Sequence, residues 1–476
     1  MLQKHLENEI LKRLGFEPTS GQRELIEGLA AFCIGAEGTE HCLLVKGYAG
    51  TGKTTTMAAF VQTLSAFEQS FMLLAPTGRA AKVLSEYAGH KAYTIHRCIY
   101  RQKSSADGLG QFDLNFNKHT HTTFIIDEAS MLSNSGAENN AFGSGCLLSD
   151  LIEFVTQGNG CRLIFVGDTA QLPPIGTSLS PALSASELNY YGLKPQEFTL
   201  TEVIRQQSES GILHNATLLR RMLDDNRIEQ PKFRTEGFSD ISRISSAELL
   251  ECLETAYSRV GREENTVICY SNKRANMYNK GIRGSILGIE EELCPGDLLM
   301  VARNSYFWAE QVPELNLGFI ANGDIVEVVR LGKHHEQHGF RFVDATIRLI
   351  DSNNAELDVR LMLDTLTVEG PSLSADDMKR LYLSVAEDYA HLRTKKERVN
   401  GIKTDPFYNA IQVKFAYAVT CHKAQGGQWR NVFVDQGFFR PEMLTKEYLR
   451  WLYTAITRAS EKLYLVNFKD EFFEGA

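Results

Sequence analysis

Eight consecutive residues, Gly47-Tyr48-Ala49-Gly50-Thr51-Gly52-Lys53-Thr54, carry the spacing GxxxxGK[ST] directly after an apolar run. Glycines at that spacing let a loop wrap its backbone N–H groups around a β-phosphate. The lysine then reaches the β- and γ-phosphates, and the final hydroxyl meets a magnesium ion. Gly47, Gly50, Thr51, Gly52, Lys53, Thr54 and Thr55 are therefore the expected cradle for ATP and Mg2+. Downstream, a second apolar run ends in the paired acids Asp127 and Glu128. Asp127 is expected to hold the metal with Thr54, and Glu128 to orient or deprotonate the attacking water. A third run ends at Asp168 and Gln171, an acid and an amide near the γ-phosphate. Arg205 in TLTEVIRQ and Arg458 in YTAITRAS are two arginines that, converging on the nucleotide, would neutralise charge in γ-phosphoryl transfer. A single arginine is more often a surface ion pair, so their role rests on the company of the phosphate loop.

These groups need rigid elements behind them. HCLLVKGYAG, SFMLLAPTG, TTFIIDEAS and CRLIFVGD each read as a buried strand that delivers a polar loop at its end. In an open parallel sheet, ligands sit outside those carboxyl ends. Helical patterns between the strands predict a doubly wound α/β domain. The polar stretch 101–123 fits no crossover helix and reads as an inserted hairpin. The α/β texture returns in NTVICYSNK, QVKFAYAVTCHKAQG, NVFVD and KLYLVNF, interrupted over about 288–409 by alternating patterns of a mainly β insertion. The expected division is 1–205 and 206–476.

Composition sets the outer limits. A chain of 476 residues with 43% hydrophobic and 23% charged residues has ample core for about two to four domains. The net charge of −9 leaves nucleic-acid binding open, because phosphate contacts depend on local basic grooves. No apolar run is long enough for a bilayer, and MLQKHLENEILKRLGF is too charged for a secretory signal. Nine cysteines without a CxxC pair point to reduced thiols in the cytoplasm, with neither a disulfide framework nor a structural zinc site. His334, His335, Glu336 and His338 fall one residue short of the HExxH spacing and read as a hairpin loop. The basic run RTKKERVNGIK reads as a solvated face.

The ordered blocks GYAGTGKT, LLAPTGRAA, TIHR, IIDEASM, GDTAQLPPIG, LTEVIRQ, VTCHKAQGGQW and YTAITRA resemble superfamily 1 helicases. They are closest to the RecD/Dda-like and Pif-like branch, which moves 5′ to 3′ on single-stranded DNA, and the resemblance runs from about Pro18 to Val466. It implies two RecA-like domains, a short strand-separating wedge in the 101–123 insertion, and a β-barrel-like insertion in the second domain. It also implies that Gln22 reads the adenine edge, Gln171 senses the γ-phosphate, and Arg205 and Arg458 act as arginine fingers. DNA-backbone grips would be Thr77 and His96 in the first domain and Asn272, Lys273, Thr420, His422, Lys423 and Gln425 in the second, with Asn304 and Tyr306 as further contacts on the barrel. Single-stranded DNA and duplex junctions are the implied partners of a monomer.

Thr, Asn and His at strand ends suit phosphate contacts that carry no sequence information, and aromatic rings stack on any base. Tyr100, Phe112, Phe116, Tyr306, Phe307 and Trp308 are the rings available, although a core position is the commoner fate of each. One departure stands out. Where RecD/Dda-like chains commonly place an acid after HKAQG, this chain has Gly426-Gly427-Gln428-Trp429. A DNA-stimulated ATPase switch without strand separation, or an RNA helicase, would share the same nucleotide blocks.

Overall fold

The structure is a computed structural model, and it describes every residue except 36–40, 103–111, 135–142, 175, 203–208, 316, 318, 351, 353 and 476. In chain order the first half has strands β1 (His41–Gly47), β2 (Phe71–Ala75) and β3 (Ala92–Thr94). A small hairpin of β4 (Tyr100–Gln102) and β5 (Phe112–Leu114) follows, and then β6 (Thr123–Ile126), β7 (Arg162–Gly167) and β8 (Lys194–Leu200). Leaving out the hairpin, these form one parallel sheet in the order β3-β2-β6-β7-β1-β8.

Both faces of this sheet are covered, so its central strands are mostly apolar, while the edge strand β8 (KPQEFTL) stays largely exposed. Successive residues of β1 serve opposite layers. Cys42 and Leu44 join a cluster with Phe124, Phe154 and Phe165, while Leu43 and Val45 join one with Leu25, Leu29 and Phe60. The chain crosses the sheet one way from β1 through β2 to β3 and the other way from β6 through β7 to β8, and the loop after Gly47 leaves the carboxyl end of β1, the end at which such sheets bind ligands.

The second half holds another parallel sheet, built from β9 (Ile241–Ile244), β10 (Asn265–Cys269), β16 (Ala418–Thr420), β17 (Trp429–Asp435) and β18 (Ala459–Val466), in the order β16-β10-β17-β18-β9. Between β10 and β16 the chain builds a closed barrel of β11 (Leu298–Val301), β12 (Ile325–Gln337), β13 (Phe340–Leu349), β14 (Ala355–Met362) and β15 (Ile411–Phe415). Val326, Val328, Val343, Ile347, Val359, Leu361 and Val413 belong to its core. His338 and Gly339, with φ of 55° and 72°, make the tight turn that joins β12 to β13.

The fold is thus two RecA-like domains, with a short hairpin inserted in the first and a barrel in the second. The barrel segment also carries two helices, Ala375–Asp388 and Lys395–Lys403. Ser374 caps the first, and a Thr394–Glu397 capping box starts the second. They bury Leu381, Val385 and Ile402 against Phe340 and Phe342. The basic run is therefore mostly the second of these helices. Only Ala416 and Tyr417 separate the last barrel strand from β16, and the Tyr417 hydroxyl is buried against Asp297 at 3.0 Å.

All nine cysteines are free thiols. Among the described residues no helix is long and apolar enough to cross a membrane, and no group of three or more His, Cys, Asp or Glu side chains is placed to hold a metal ion on its own. His335 instead bonds Asp344 at 2.8 Å, and His338 bonds Ser384 at 3.1 Å.

Candidate nucleotide and nucleic-acid site

The loop after β1 turns through Gly50 and Gly52, both left-handed at φ 76° and 78°, and enters the helix Lys53–Ala66 with Gly52 as its cap. That conformation favours glycine and leaves the first amides of the helix pointing into the loop. A β-carbon on Gly47 would lie 2.8 Å from the Lys53 side chain, so the close approach also requires glycine. The Lys53 ammonium donates to the carbonyls of Gly47 and Tyr48 at 2.7 and 2.9 Å, which holds it over the loop.

Gln22 lies against this loop, fully buried. Its carbonyl accepts from the Thr19 N–H at 3.0 Å and its amide donates to the Thr51 carbonyl at 3.2 Å. Thr19 and Gln22 form the capping box of the helix Ser20–Ile34, and that box turns the glutamine inward. In this arrangement Gln22 braces the phosphate loop rather than offering an edge to an adenine ring.

Asp127 stands at the end of β6 and accepts from the Glu128 N–H at 2.8 Å. Glu128 has φ 52°, an uncommon conformation for a residue with a side chain, held where it faces the cleft. Burial, and then the charge on Glu128, push the Asp127 carboxyl up to about 6, with the Lys53 ammonium pulling the other way. Asp168, at the end of β7, is likewise raised by burial and lowered by Lys53 and by a bond from Tyr453. Crowded carboxylates pressed toward neutrality are a donor set that a divalent cation relieves. Asp127 fits that role.

The second half closes the cleft from the other side. Arg458 is buried, and its guanidinium lies 3.6 Å from Glu128. Gln171 is also buried, and among the described residues its carbonyl oxygen has no hydrogen-bond partner, the state expected of a side chain poised for a ligand group. The backbone of Leu172 beside it is gripped twice. Its N–H donates to the Thr454 hydroxyl at 2.9 Å, and its carbonyl accepts from the Gln425 amide at 2.7 Å. Gln425, expected on the DNA face, is therefore a cleft residue. It is buried, and its amide reaches across to the first half. Arg205 lies outside the described residues.

The remaining expected grips fall into two groups. Asn272, Thr420 and Lys423 line one recess, together with Lys414. Lys423 bonds the Asn322 side chain, and the Asn322 N–H donates to Asn304 at 2.6 Å, so the barrel loop and the HKAQG block are joined. Lys273 is highly exposed, with Glu369 at 3.4 Å. On the first half, Thr77 caps the helix Gly78–Ala88 through the Ala80 N–H, and Gly426 packs so tightly there that a β-carbon would sit 2.8 Å from Ala80 and 3.2 Å from the Thr77 hydroxyl. Burial lowers His96 to about 4 and lowers His422 as well, which favours the neutral imidazole in both.

Of the six candidate stacking rings, Tyr100 and Phe112 are buried, and Phe116 stands 66% exposed with the Arg101 guanidinium 5.0 Å from its ring. Tyr306 packs between Phe112 at 4.1 Å and Phe319 at 5.1 Å, which braces the hairpin against the barrel.

Sequence reading missed Tyr453, Thr454, Arg79 and Trp429 as cleft residues. The signal for the first two was in plain view, two hydroxyls on an otherwise apolar stretch beside Arg458.

Residues 19–230 match a family model described as an AAA domain, and residues 415–466 match one described as a UvrD-like helicase C-terminal domain. The chain is 24% identical to an uncharacterized protein of Methanocaldococcus jannaschii over 89% of its own length and 36% of that protein's. It is also 24% identical to the ATP-dependent RecD2 DNA helicase of Deinococcus radiodurans, over 89% of its length and 47% of the relative's. It thus spans less than half of either relative. A solved Pif1 helicase from Bacteroides, in complex with ADP-AlF3 and ssDNA, aligns over 97% of this chain and 95% of that one, at 14% identity and a TM-score of 0.47. A nucleotide-domain model thus matches the first half and a helicase C-terminal model the second, and the two meet at one cleft, as the resemblance to superfamily 1 helicases of the RecD/Pif-like branch implies.

Proposed function

We propose that this chain is an ATP-driven DNA helicase that steps along single-stranded DNA, 5′ to 3′, as a cytoplasmic monomer, with its two working halves meeting near residue 205. The observation that carries the reading is Arg458, which reaches from the second half to within 3.6 Å of Glu128 in the first. An arginine supplied across a cleft neutralises charge at the γ-phosphoryl group and makes closure depend on an intact triphosphate.

In this reading the amides of the phosphate loop and Lys53 bind the phosphates, Gln171 faces the γ-phosphate, and Arg205, outside the described residues, is the second arginine of the reaction. Glu128 takes the proton of the attacking water. Thr54 and Asp127 would hold Mg2+, which would supply charge neutralisation on the phosphates. Leu172 passes the state of the cleft to Gln425, which sits two residues from Lys423. Thr77, His96, Asn272, Lys273, Thr420, His422 and Lys423 grip the backbone, and the two grips alternate as the cleft opens and closes. Asn304 and Tyr306 support the path from the barrel, and the braced hairpin parts the duplex. Relatives named as DNA helicases support DNA over RNA as the track.

The test is steady-state ATP hydrolysis with single-stranded DNA, RNA and duplex DNA, with Lys53→Ala as the blank. Stimulation by single-stranded DNA above the others, and unwinding of 5′-tailed duplexes, is the expected result. Turnover indifferent to every nucleic acid sinks the helicase reading. Stimulation without unwinding leaves a DNA-dependent switch.

A further inference from the structure

The Tyr453 hydroxyl stands between two groups of the first half. It accepts from the Ala49 N–H, inside the phosphate loop, at 2.8 Å and donates to the Asp168 carboxylate at 2.6 Å. Tyr453 is completely buried and belongs to the helix Lys446–Ile456 of the second half, which needs neither contact to form. A buried phenol whose donor and acceptor are both spent across a domain boundary is a tie between the domains. Thr454 repeats the tie one residue later by accepting from the Leu172 N–H.

Arg458 hangs from the same turn. Its Nε donates to the Thr454 carbonyl at 3.1 Å and its Nη2 to the Thr457 hydroxyl at 3.3 Å, and that hydroxyl donates back to the Tyr453 carbonyl at 2.8 Å. The reach of Arg458 toward Glu128 is therefore set by where the Tyr453–Thr454 turn is seated.

We propose that Tyr453 is a positioning residue for phosphoryl transfer: bridging Ala49 and Asp168, it seats the turn that aims Arg458 at the γ-phosphate end of the site. The inference rests on the reading of Arg458 as the arginine of ATP hydrolysis. Tyr453→Phe removes one oxygen and keeps the ring packed. The Ala49 N–H and the Asp168 carboxylate lose that partner, but Lys53 and its bonds to the Gly47 and Tyr48 carbonyls remain, so nucleotide binding persists while the aim of Arg458 loosens.

The experiment is ATP hydrolysis by the full chain without nucleic acid, with thermal unfolding as the check on folding. Y453F is expected to lower kcat about tenfold with KM for ATP within about twofold, and with little change in unfolding midpoint. Because Tyr453 acts through Arg458, Y453F placed on Arg458→Ala is expected to add no further loss. Wild-type kcat in Y453F, a rise in KM matching the fall in kcat, or a further tenfold loss on top of Arg458→Ala each overturns the proposal. Should Y453F fail to fold, Thr454→Val tests the same seat: a lower kcat at constant KM supports it, and wild-type turnover overturns it. These readings need no DNA, so a wild-type protein indifferent to nucleic acid would sink the motor reading and leave this one standing.

Discussion

The guanidinium of Arg79 lies 4.1 Å above the ring of Trp429, and its Nη2 donates to the Gln428 carbonyl at 2.9 Å. Arg79 follows Thr77, the helix cap of the first half, by two residues, and Trp429 opens β17 of the second. The stretch that lacks the acid usual in related chains is thus a clasp between the halves. Gly427 is part of it, since a β-carbon there would lie 2.6 Å from Trp429 and 3.0 Å from Arg79.

Arg79→Ala removes a desolvated cation–π contact of about 1–2 kcal/mol. The expected outcome is that single-stranded DNA stimulates ATP turnover severalfold less, while turnover without DNA is unchanged. Equal stimulation in the variant and the wild type would show that the clasp plays no part in coupling.

Lys53→Ala removes the one ammonium bound over the phosphate loop. ATP turnover is expected to fall by at least about a hundredfold, with single-stranded DNA binding retained in a fluorescence anisotropy titration. Loss of both together would point to misfolding.

Arg458→Ala should bind nucleotide about as well as the wild type and hydrolyse it about a thousandfold more slowly, the scale of a missing arginine finger. Removing Arg458 also leaves Glu128 without its cross-cleft cation. Single-turnover kinetics with labelled ATP separate the two steps, and normal chemistry would remove Arg458 from the site.

Phe112→Leu keeps volume in the hairpin but gives up the ring contact with Tyr306, worth about 0.5–1.5 kcal/mol. Forked-duplex unwinding is expected to slow severalfold while single-stranded DNA still drives ATP turnover at the wild-type rate. A matching fall in both would mean that the hairpin belongs to the motor rather than to strand separation.

His96 has its pKa held down to about 4 by burial, against an unfolded value near 6.5. A depressed histidine pKa means that the unfolded chain takes up its proton first as the pH falls. The folded state is therefore unpenalised above about 6.5 and loses stability progressively between about 6.5 and 4. Denaturant unfolding at several pH values should show a shallower acid decline in His96→Gln than in the wild type.

The phosphate loop, the acid pair and the strand ends were legible in the sequence because their chemistry is local: a strand, a turn and a cap fix Lys53, Asp127 and Asp168 within a few residues. Gln22 and Gln425 were harder. Both are amides beside expected ligands, and only tertiary packing turns one into a brace under Thr51 and the other into a link to Leu172. The hydroxyls of Tyr453 and Thr454 stood in the sequence, but not the face of their helix that crosses the cleft, which the partner surface decides. The helices inside the barrel segment escaped because strand patterns flank them on both sides.

The barrel runs into the second sheet through Ala416 and Tyr417 alone, and Asn279 bonds the carbonyls of both Phe415 and Ala418 across that seam. Barrel and sheet are thus joined directly, by a two-residue link and the Asn279 amide. The hairpin that leans on Tyr306 belongs to the other half. Any change in the angle between the halves would thus also change how firmly the hairpin is propped, so the nucleotide cleft and the hairpin share one joint.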